Sequence, residues 1–411
     1  MGRQSLRLLL SILLFSFVII SASAIGQTNS HPAPATSTFV YAGTCTACVR
    51  GRPPETQTVG FAVAADGTAQ PIPGSPFALP SYELSANPNF LFAVDPGGQE
   101  ILTYAPATNG SLTQVGVVNG LTGSCGRYAG VQLLSPEPSG HFLYAGVGNN
   151  FSCGTDYTAW SISTTGQLSF VGGPDQSPAY AWGTSLTFSP DDRFAYTGTV
   201  AEYDGGLAGF IREQQGSLID FSPNPAAPHS PLADYPLCDV WNSASSSAGY
   251  VAVLWYDGLY CYDGGPGIAV IANYTVNSDG TLALIPGSVI TPTVNLANML
   301  YDPSGQYLAM VGSVEYGRQS QGAIQVYKLQ PGGGLISTGP VQIVPGISNL
   351  VYLAWDNANH LYATGESGYS SCSGPCGLYI FNNSDGVLTA APGSPYPVPN
   401  SIVGLAVLPA N

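Results

Sequence analysis

Charged residues are scarce in this sequence, and positively charged ones are the scarcest. Asp, Glu, Lys and Arg make up 8% of the 411 residues, and nine basic against 24 acidic side chains give a net charge of −15 at pH 7. Lys328 is the only lysine. Because phosphate backbones and anionic lipids are bound through basic side chains, this deficit excludes nucleic acid and anionic membrane surfaces as partners.

Signals of helices and of several common catalytic sites are also missing. No window of the sequence keeps the 3.6-residue period of an amphipathic helix. There is no nucleotide-binding glycine loop, EF-hand, HExxH or GxSxG motif. We therefore expect an all-β protein, and we assign it no cofactor and no metal.

Only one apolar run is long enough to suggest a membrane, and it lies at residues 8–20. It is shorter than the roughly 20 residues that a spanning helix needs. Two arginines precede it and small residues follow it, which predicts a signal peptide over residues 1–24 and a polar linker over 25–36. Loss of these two arginines would shift the net charge from −15 to −17. We expect an exported protein, periplasmic or extracellular, with no membrane span in the mature chain.

What the sequence does contain is a repeated phrase of strand, turn and strand between residues 39 and 408. SPDDRFAYTG at 189–198 is a clear copy of its first half, and YTVNSDGTLAL at 274–284 of its second. The alternating, β-branched and aromatic segments predict half-buried strands joined by hairpin turns. The phrase recurs about every 53 residues, which indicates an array of supersecondary units. Seven turn glycines mark the copies: Gly67, Gly110, Gly166, Gly216, Gly280, Gly334 and Gly386.

Four short strands fit into each repeat, so the sequence predicts a seven-bladed β-propeller of four-stranded antiparallel blades over residues 37–411. A linear β-solenoid is the alternative. Residues 401–409 read as the first strand of a repeat, and residues 37–43 read as a second strand. Together they complete one blade, so we expect the C-terminal strand to close the ring in the first blade. We expect a monomer.

Eight cysteines in an exported chain predict disulfides. If strands are lettered A to D outward from the axis, the D–A connections and B–C loops lie on one face, which we call the loop-rich face. Every cysteine falls there. The blade positions predict the pairs Cys125–Cys153 and Cys238–Cys261. The remaining pairing stays open, with a four-thiolate zinc site as the alternative, for a set of four residues: Cys45, Cys48, Cys372 and Cys376.

The loop-rich face also carries most of the variation between repeats, with Tyr, Trp and acidic side chains in long loops such as WYDGLYCYDGG at 255–265. Rigid scaffolds commonly hold binding sites on such loops. Aromatic rings stack on sugar faces, and carboxylates accept hydrogen bonds from hydroxyls. The pattern favours a carbohydrate or cell-envelope component as partner, while loop tyrosines that merely fill space between blades are the alternative.

The repeat phrase and the motifs PGSPF at 73–77 and PGSPY at 392–396 resemble the lactonase-like propellers, including propeller-type 6-phosphogluconolactonase and the YVTN-repeat proteins. The resemblance implies a seven-bladed propeller and lactone chemistry on the loop-rich face. Family members that look catalytic carry a histidine five residues before the Ser-Pro-Asp turn. Thr184 and Val351 stand at those positions here.

None of the four histidines replaces the missing one. His141 and His360 fall in short turns of the opposite face, where we expect solvated side chains. His229 takes the place of a motif glycine in PHSPL, which repeat drift explains, and His31 lies in the predicted linker.

Two functions therefore stay open. The first, favoured because the histidine is missing, is a binding module for a carbohydrate or envelope partner. The second is a lactone hydrolase, in which Arg127 and Arg318 stabilise the oxyanion while Glu202 and Asp239 act as acid and base. A solvated loop charge is the alternative role for each of the four. The negative net charge makes phosphorylated lactones poor substrates.

Overall fold

Inner strands of seven blades surround one axis in the computed structural model, and each blade is an antiparallel sheet. The structure describes a set of ranges: 38–45, 56–79, 81–119, 121, 130–148, 155–176, 182–183, 185–200, 206–220, 240–257, 268–316, 319–365 and 377–408. Within them it contains 31 strands and no helix. The predicted signal peptide and linker fall outside these ranges, so their boundaries stay predictions. No helix in the described ranges is long and apolar enough to cross a membrane.

The first three blades take their strands from the two ends of the chain and from residues 84–176. Blade 1 contains β1 (Thr38–Cys45), β2 (Thr56–Val63), β3 (Ala69–Pro71) and the last strand, β31 (Ser401–Leu408). Blade 2 contains β4 (Leu84–Ala86), β5 (Leu91–Val94), β6 (Glu100–Pro106) and β7 (Leu112–Asn119). Blade 3 contains β8 (Gly130–Pro136), β9 (Phe142–Gly148), β10 (Thr155–Ile162) and β11 (Leu168–Gln176).

Blades 4 and 5 follow in chain order. Blade 4 contains β12 (Trp182–Gly183), β13 (Thr187–Phe188), β14 (Phe194–Val200), β15 (Gly206–Arg212) and β16 (Leu218–Asp220). Its inner strand is divided into β12 and β13, which both pair with β14. Blade 5 contains β17 (Val240–Ser246), β18 (Tyr250–Asp257), β19 (Ile268–Val276) and β20 (Leu282–Leu284).

Blades 6 and 7 each have a short fifth strand. Blade 6 contains β21 (Asn295–Tyr301), β22 (Tyr307–Tyr316), β23 (Gln319–Leu329), β24 (Leu335–Ser337) and β25 (Gln342–Val344). Blade 7 contains β26 (Leu350–Trp355), β27 (His360–Gly365), β28 (Gly377–Ser384), β29 (Val387–Ala390) and β30 (Tyr396–Pro397).

The ring closes as the sequence predicts. β31 is the inner strand of blade 1 and pairs with β1, with Val40 opposite Val407 and Ala42 opposite Leu405. A hydrophobic cluster of blade 7 and blade 1 residues, among them Tyr362 and Val40, packs across the closure. The other six blade interfaces in the described ranges each have their own cluster. The closed propeller is therefore confirmed, and the solenoid alternative is wrong.

A similar hydrogen bond, from a side chain of one blade to a turn of the next, occurs in several blades of the propeller. The hydroxyls of Tyr41, Tyr144 and Tyr196 donate to the carbonyl oxygens of Gly110, Gly216 and Gly280, at 2.6, 2.7 and 2.8 Å. In blade 5, the Asn273 side chain instead donates to Gly333 at 2.8 Å. The sixth repeat glycine is thus Gly333, with φ of +88°, and not the Gly334 that the spacing suggested.

Removing each of these tyrosine hydroxyls is expected to lower the free energy of unfolding of the propeller by a similar amount. Each of Tyr41→Phe, Tyr144→Phe and Tyr196→Phe leaves a buried carbonyl without its donor and should cost about 1–2 kcal/mol. Because the three bonds lie in different interfaces, the losses should add. Urea unfolding midpoints measure them. Tyr307→Phe removes a longer bond, 3.3 Å to Asp385, and serves as the control with a smaller loss. Unchanged midpoints in all variants would contradict this role.

The PGS motif that carries the family resemblance continues the outer edge of a blade. Beyond a short outer strand, the hydroxyl of Ser75 accepts the backbone N–H of Gly60 at 3.0 Å, and Ser394 accepts that of Ile380 at 2.9 Å. Ser288 does the same for the N–H of Asn273 at 3.1 Å. Without these hydroxyls, the third strand would leave backbone donors unpaired. The motif therefore builds the blade and carries no chemistry itself.

Candidate functional site

The four residues predicted to be catalytic, Arg127, Glu202, Asp239 and Arg318, all lie outside the described residues. Their roles stay predictions. The structure does describe the inner strands, including the end of each that follows the D–A connection. That end belongs to the loop-rich face. The candidate site is therefore built from the first residues of the inner strands.

Six of the seven inner strands carry an extra residue, a β-bulge, near their start. The register shifts between Val131 and Leu133, and equivalent shifts occur in blades 5, 6, 7 and 1. In blade 2 the backbone N–H of Tyr82 donates to the carbonyl oxygen of Val94. The backbone N–H of Val94 in turn donates to the backbone carbonyl oxygen of Glu83. A bulge redirects side chains and commonly lies beside functional sites. The extra residues are Tyr82, Gln132, Trp241, Ala297, Val351 and Val403.

The residues that directly follow the bulges form a ring around the axis. In blades 5 and 6 they are Asn242 and Asn298, and the Asn242 amide donates to Asn298 Oδ1 at 3.0 Å. The equivalent position of blade 4 is Ser185, whose hydroxyl lies 3.2 Å from that of Ser243 in blade 5. These contacts show that this level of one inner strand faces the inner strand of the next blade.

The blade 2 member of this ring is Glu83, the one carboxylate at this level among the described residues. Equivalent positions on the two neighbouring inner strands are occupied by Gly404 and Leu133, so neither supplies a polar partner. Glu83 is half-buried, and its side chain makes no hydrogen bond or ion pair with another described residue. Among the described residues, no charge therefore compensates this carboxyl group.

The sheet face on which Glu83 lies is apolar. Because side chains alternate along a strand and Leu84 pairs with Ala93, Glu83 lies on the same sheet face as Phe92 and Val94. That face packs against Val131 of blade 3 in a hydrophobic cluster. Burial raises the pKa of Glu83 to about 8. A carboxyl group that titrates near neutral pH in such surroundings is a candidate for acid–base chemistry.

Glu83 was not among the predicted site residues, because these are charged residues of the long loops. Glu83 stands in SYELSANPNF, four residues before the turn that begins at Asn87. The signal was available in the repeat alignment, since the other described blades place Leu, Ser, Asn, Tyr or Gly at this position. A single carboxylate at a position that is uncharged in those blades marks a departure from the repeat.

The structure corrects the expectation that His360 is a solvated turn residue. Its side chain is 2% exposed, and Nδ1 lies 2.7 Å from Asp356 Oδ2. His141 does match the expectation, with 78% of its side chain exposed. His360 is buried because it begins a strand at the interface of blades 7 and 1, where Nε2 lies 3.3 Å from the Ala65 carbonyl oxygen. It lies on the face opposite Glu83.

Cys45 is the one cysteine among the described residues, and it is disulfide-bonded. The seven other cysteines lie outside these residues, so the pairs Cys125–Cys153 and Cys238–Cys261 stay predictions. In the same part of the chain, no three His, Cys, Asp or Glu side chains are grouped in a way that could hold a metal ion.

Comparison with known proteins shows which solved structures share this fold. No protein-family model and no curated protein sequence matches the chain. Solved structures do match. A proposed 6-phosphogluconolactonase of Bacteroides fragilis superposes with a TM-score of 0.62 at 14% identity, over 91% of this chain and 98% of that one. The periplasmic gluconolactonase PpgL of Pseudomonas aeruginosa gives 0.62 at 15% identity, over 91% and 100%.

A third match has the same character. A proposed 6-phosphogluconolactonase of Bacteroides uniformis has a TM-score of 0.61 at 15% identity, over 90% of this chain and 99% of that one. The chain is thus a seven-bladed propeller, and its fold is that of propeller-type lactonases. The resemblance seen in the sequence motifs is confirmed at the level of the fold.

Proposed function

We propose that the protein is an exported hydrolase of uncharged sugar lactones, with Glu83 as its acid–base group. The observation that carries this proposal is the position of the half-buried Glu83 at the loop-rich end of an inner strand, on the sheet face that it shares with Phe92 and Val94. The structural neighbours include a gluconolactonase and two proposed 6-phosphogluconolactonases, which supports lactones as the substrate class.

The reaction needs one group that first accepts a proton and then returns it. Ionised Glu83 accepts a proton from water while the water oxygen bonds to the lactone carbonyl carbon. Glu83 then donates that proton to the ring oxygen as the bond from the carbonyl carbon to this oxygen breaks. One lactone and one water give one hydroxycarboxylic acid, and Glu83 is ionised again. A carboxyl with a pKa of about 8 is a stronger base than an ordinary carboxylate and still ionises under mildly alkaline conditions.

Charge favours unphosphorylated substrates. The chain carries a net charge of −15, and removal of the predicted signal peptide would make it −17. A protein with this charge repels phosphate esters at long range. Glu83 itself, placed in apolar surroundings, would be destabilised further by a second anion. A neutral aldonolactone meets neither obstacle.

Arg127 and Arg318 stay the predicted oxyanion donors, and Glu202 and Asp239 the predicted acid and base among the loop residues. In the proposal Glu83 takes over the acid–base role. The competing proposal is the binding module for a carbohydrate or envelope partner, in which Glu83 does no chemistry. An assay of hydrolysis separates the two.

Hydrolysis should be measured by acid release from glucono-δ-lactone, galactono-γ-lactone and 6-phosphogluconolactone between pH 6 and 8.5. We expect the two uncharged lactones to be opened faster than in buffer alone, with kcat/KM rising towards an apparent pKa near 8. The phosphorylated lactone should be at least tenfold slower at low salt, with the gap narrowing as salt screens the repulsion. Rates equal to buffer for all three lactones would overturn the hydrolase proposal and leave the binding module.

A further inference from the structure

The bulge in blade 5 presents a large aromatic side chain at the loop-rich end of the ring. Trp241 is the extra residue between Val240 and Asn242, and it is 41% exposed. The chain has five tryptophans, and two others, Trp255 and Trp355, are 1% and 8% exposed. Aromatic residues of this size are usually largely buried. Its exposure beside the axis therefore needs an explanation other than packing.

Trp241 is held in place by a neighbouring ring. Its centroid lies 5.8 Å from that of Tyr256, at an interplanar angle of 79°. Such an edge-to-face pair is a stabilising arrangement that fixes the orientation of both rings. Tyr256 lies near the end of β18, on the strand that pairs with β17, so the contact is built into the blade. The exposed indole is thus a rigid surface.

Amide groups capable of hydrogen bonding lie directly beside this surface. Asn242 follows Trp241 in the bulge, and its amide uses one N–H to reach Asn298 Oδ1 at 3.0 Å. Among the described residues, neither amide makes another side-chain hydrogen bond. An amide group has two donors and a carbonyl oxygen. Within the described part of the chain, the Asn242 carbonyl oxygen, one of its N–H groups and both N–H groups of Asn298 therefore stay available to a ligand.

We propose that Trp241, Tyr256, Asn242 and Asn298 form a binding subsite for an uncharged saccharide ring. The C–H face of the sugar packs on the indole of Trp241, while its hydroxyls accept from and donate to the amides. The subsite contains no charged group, so it selects neither cations nor anions. The subsite recognises the saccharide ring, and its binding does not depend on the hydrolysis assigned to Glu83.

The position of the subsite restricts which ligands could contact both Trp241 and Glu83. Trp241 belongs to blade 5 and Glu83 to blade 2, so three blade interfaces separate them around the ring. A molecule that engages both must cross the axial mouth. This favours a lactone that ends a disaccharide or longer chain over a single free sugar ring.

The test is to titrate the full-length protein with maltose, cellobiose and cellobionolactone. Binding is measured by calorimetry and by tryptophan fluorescence. We expect saturable binding of at least one of these, with a blue shift in emission as the exposed indole is covered. Trp241→Ala should weaken binding at least tenfold. Trp241→Phe keeps a ring and should retain part of the affinity while losing the emission shift.

Two further variants separate this subsite from catalysis and from general damage to the fold. Glu83→Gln should bind the non-hydrolysable maltose or cellobiose as the wild type does, even if it no longer opens a lactone. Trp160→Phe changes a partly buried tryptophan of blade 3 that packs on Phe170, and it should leave binding unchanged. Absence of saturable binding to all three saccharides, or equal binding by wild type and a folded Trp241→Ala variant, would overturn the proposal.

Discussion

Replacing Glu83 with glutamine is expected to lower kcat/KM for lactone hydrolysis at pH 8 by at least a hundredfold. Glutamine keeps the size of the side chain but neither accepts nor returns a proton in this pH range. Loss of a positioned general base or acid typically reduces rates by about 10²–10⁴-fold. The acid-release assay with glucono-δ-lactone measures the effect. An active Glu83→Gln variant would show that another group activates the water.

The same substitution should stabilise the fold, and this gain should depend on pH. The folded-state pKa of Glu83 is about 8, whereas an unperturbed glutamate titrates near 4.5. Between these values the unfolded chain has released the proton that the folded chain still holds, so the free energy of unfolding falls as pH rises. Glutamine has no such loss. We expect wild type and Glu83→Gln to be equally stable at pH 4.5, and Glu83→Gln to be more stable by about 4–5 kcal/mol at pH 8 and above.

Urea midpoints at pH 4.5, 7 and 9 test the stability gain. Glu315→Gln provides the matched control, because it removes an exposed carboxylate from the same chain. Its midpoint should follow the wild type at every pH. A gain in Glu83→Gln that is equal at all three pH values would contradict the raised pKa of Glu83. Opposite changes in activity and stability would be typical of a residue kept for function.

Replacing His360 with alanine is expected to cost about 3–5 kcal/mol of stability, because it leaves the Asp356 carboxylate buried without its charged partner. Asp356 Oδ2 lies 2.7 Å from His360 Nδ1 and accepts the Tyr362 hydroxyl at 2.7 Å. Burial alone lowers the pKa of His360, but the hydrogen bond and charge of Asp356 outweigh it and raise that pKa. Burial alone raises the pKa of Asp356, and the hydrogen bonds of His360 and Tyr362 lower it.

The stability that this pair contributes depends on pH, because the pKa of His360 is raised and that of Asp356 is lowered. The contribution of His360 is fully present below about 6.5, the pKa of the unfolded chain, and is lost as pH rises through the folded-state value. The contribution of Asp356 is present above about 3.9 and is lost as pH falls through its lowered value. Stability supplied by the pair is therefore greatest between these limits.

Urea midpoints of His360→Ala at pH 5.5 and 8.5 measure this contribution. His141→Ala removes an exposed histidine from the corresponding turn of blade 3, and it should change stability by less than about 0.5 kcal/mol. If His360→Ala does not fold, Tyr362→Phe tests the same pair by removing one hydrogen bond, at a cost of about 1–2 kcal/mol. A His360→Ala midpoint equal to that of the wild type at both pH values would contradict the role of the pair.

The fold could be predicted because the sequence contains seven copies of the same strand and turn pattern. Strand alternation, hairpin glycines and the unmatched segments at 37–43 and 401–409 were enough to give the blades and the closing pair of β1 and β31. The turn register was less certain where glycines are adjacent, since PGGG at 331–334 offers three candidates and backbone conformation selects Gly333. Periodicity identifies the turn but does not distinguish one glycine from the next.

The site was harder to predict because it depends on which residues meet across different repeats. Glu83 follows a bulge, and a bulge changes the pairing by one residue without altering the hydrophobic pattern that a sequence shows. The apolar cluster on its sheet face joins Val94 of its own blade to Val131 of the next. The burial of His360 likewise depends on Ala65, which is almost 300 residues away along the chain. Local spacing contains neither contact.

Closure by β31 also changes how the molecule shares its stability. An open row of repeats has two end units, each packed on one side only, and such rows lose structure from their ends. In this ring every blade has two neighbours, because the cluster around Tyr362 and Val40 joins the last blade to the first. Loss of any single blade uncovers two apolar faces at once. The propeller therefore has no terminal unit that could fray, and blade 2, which holds Glu83, packs against a neighbouring blade on each side.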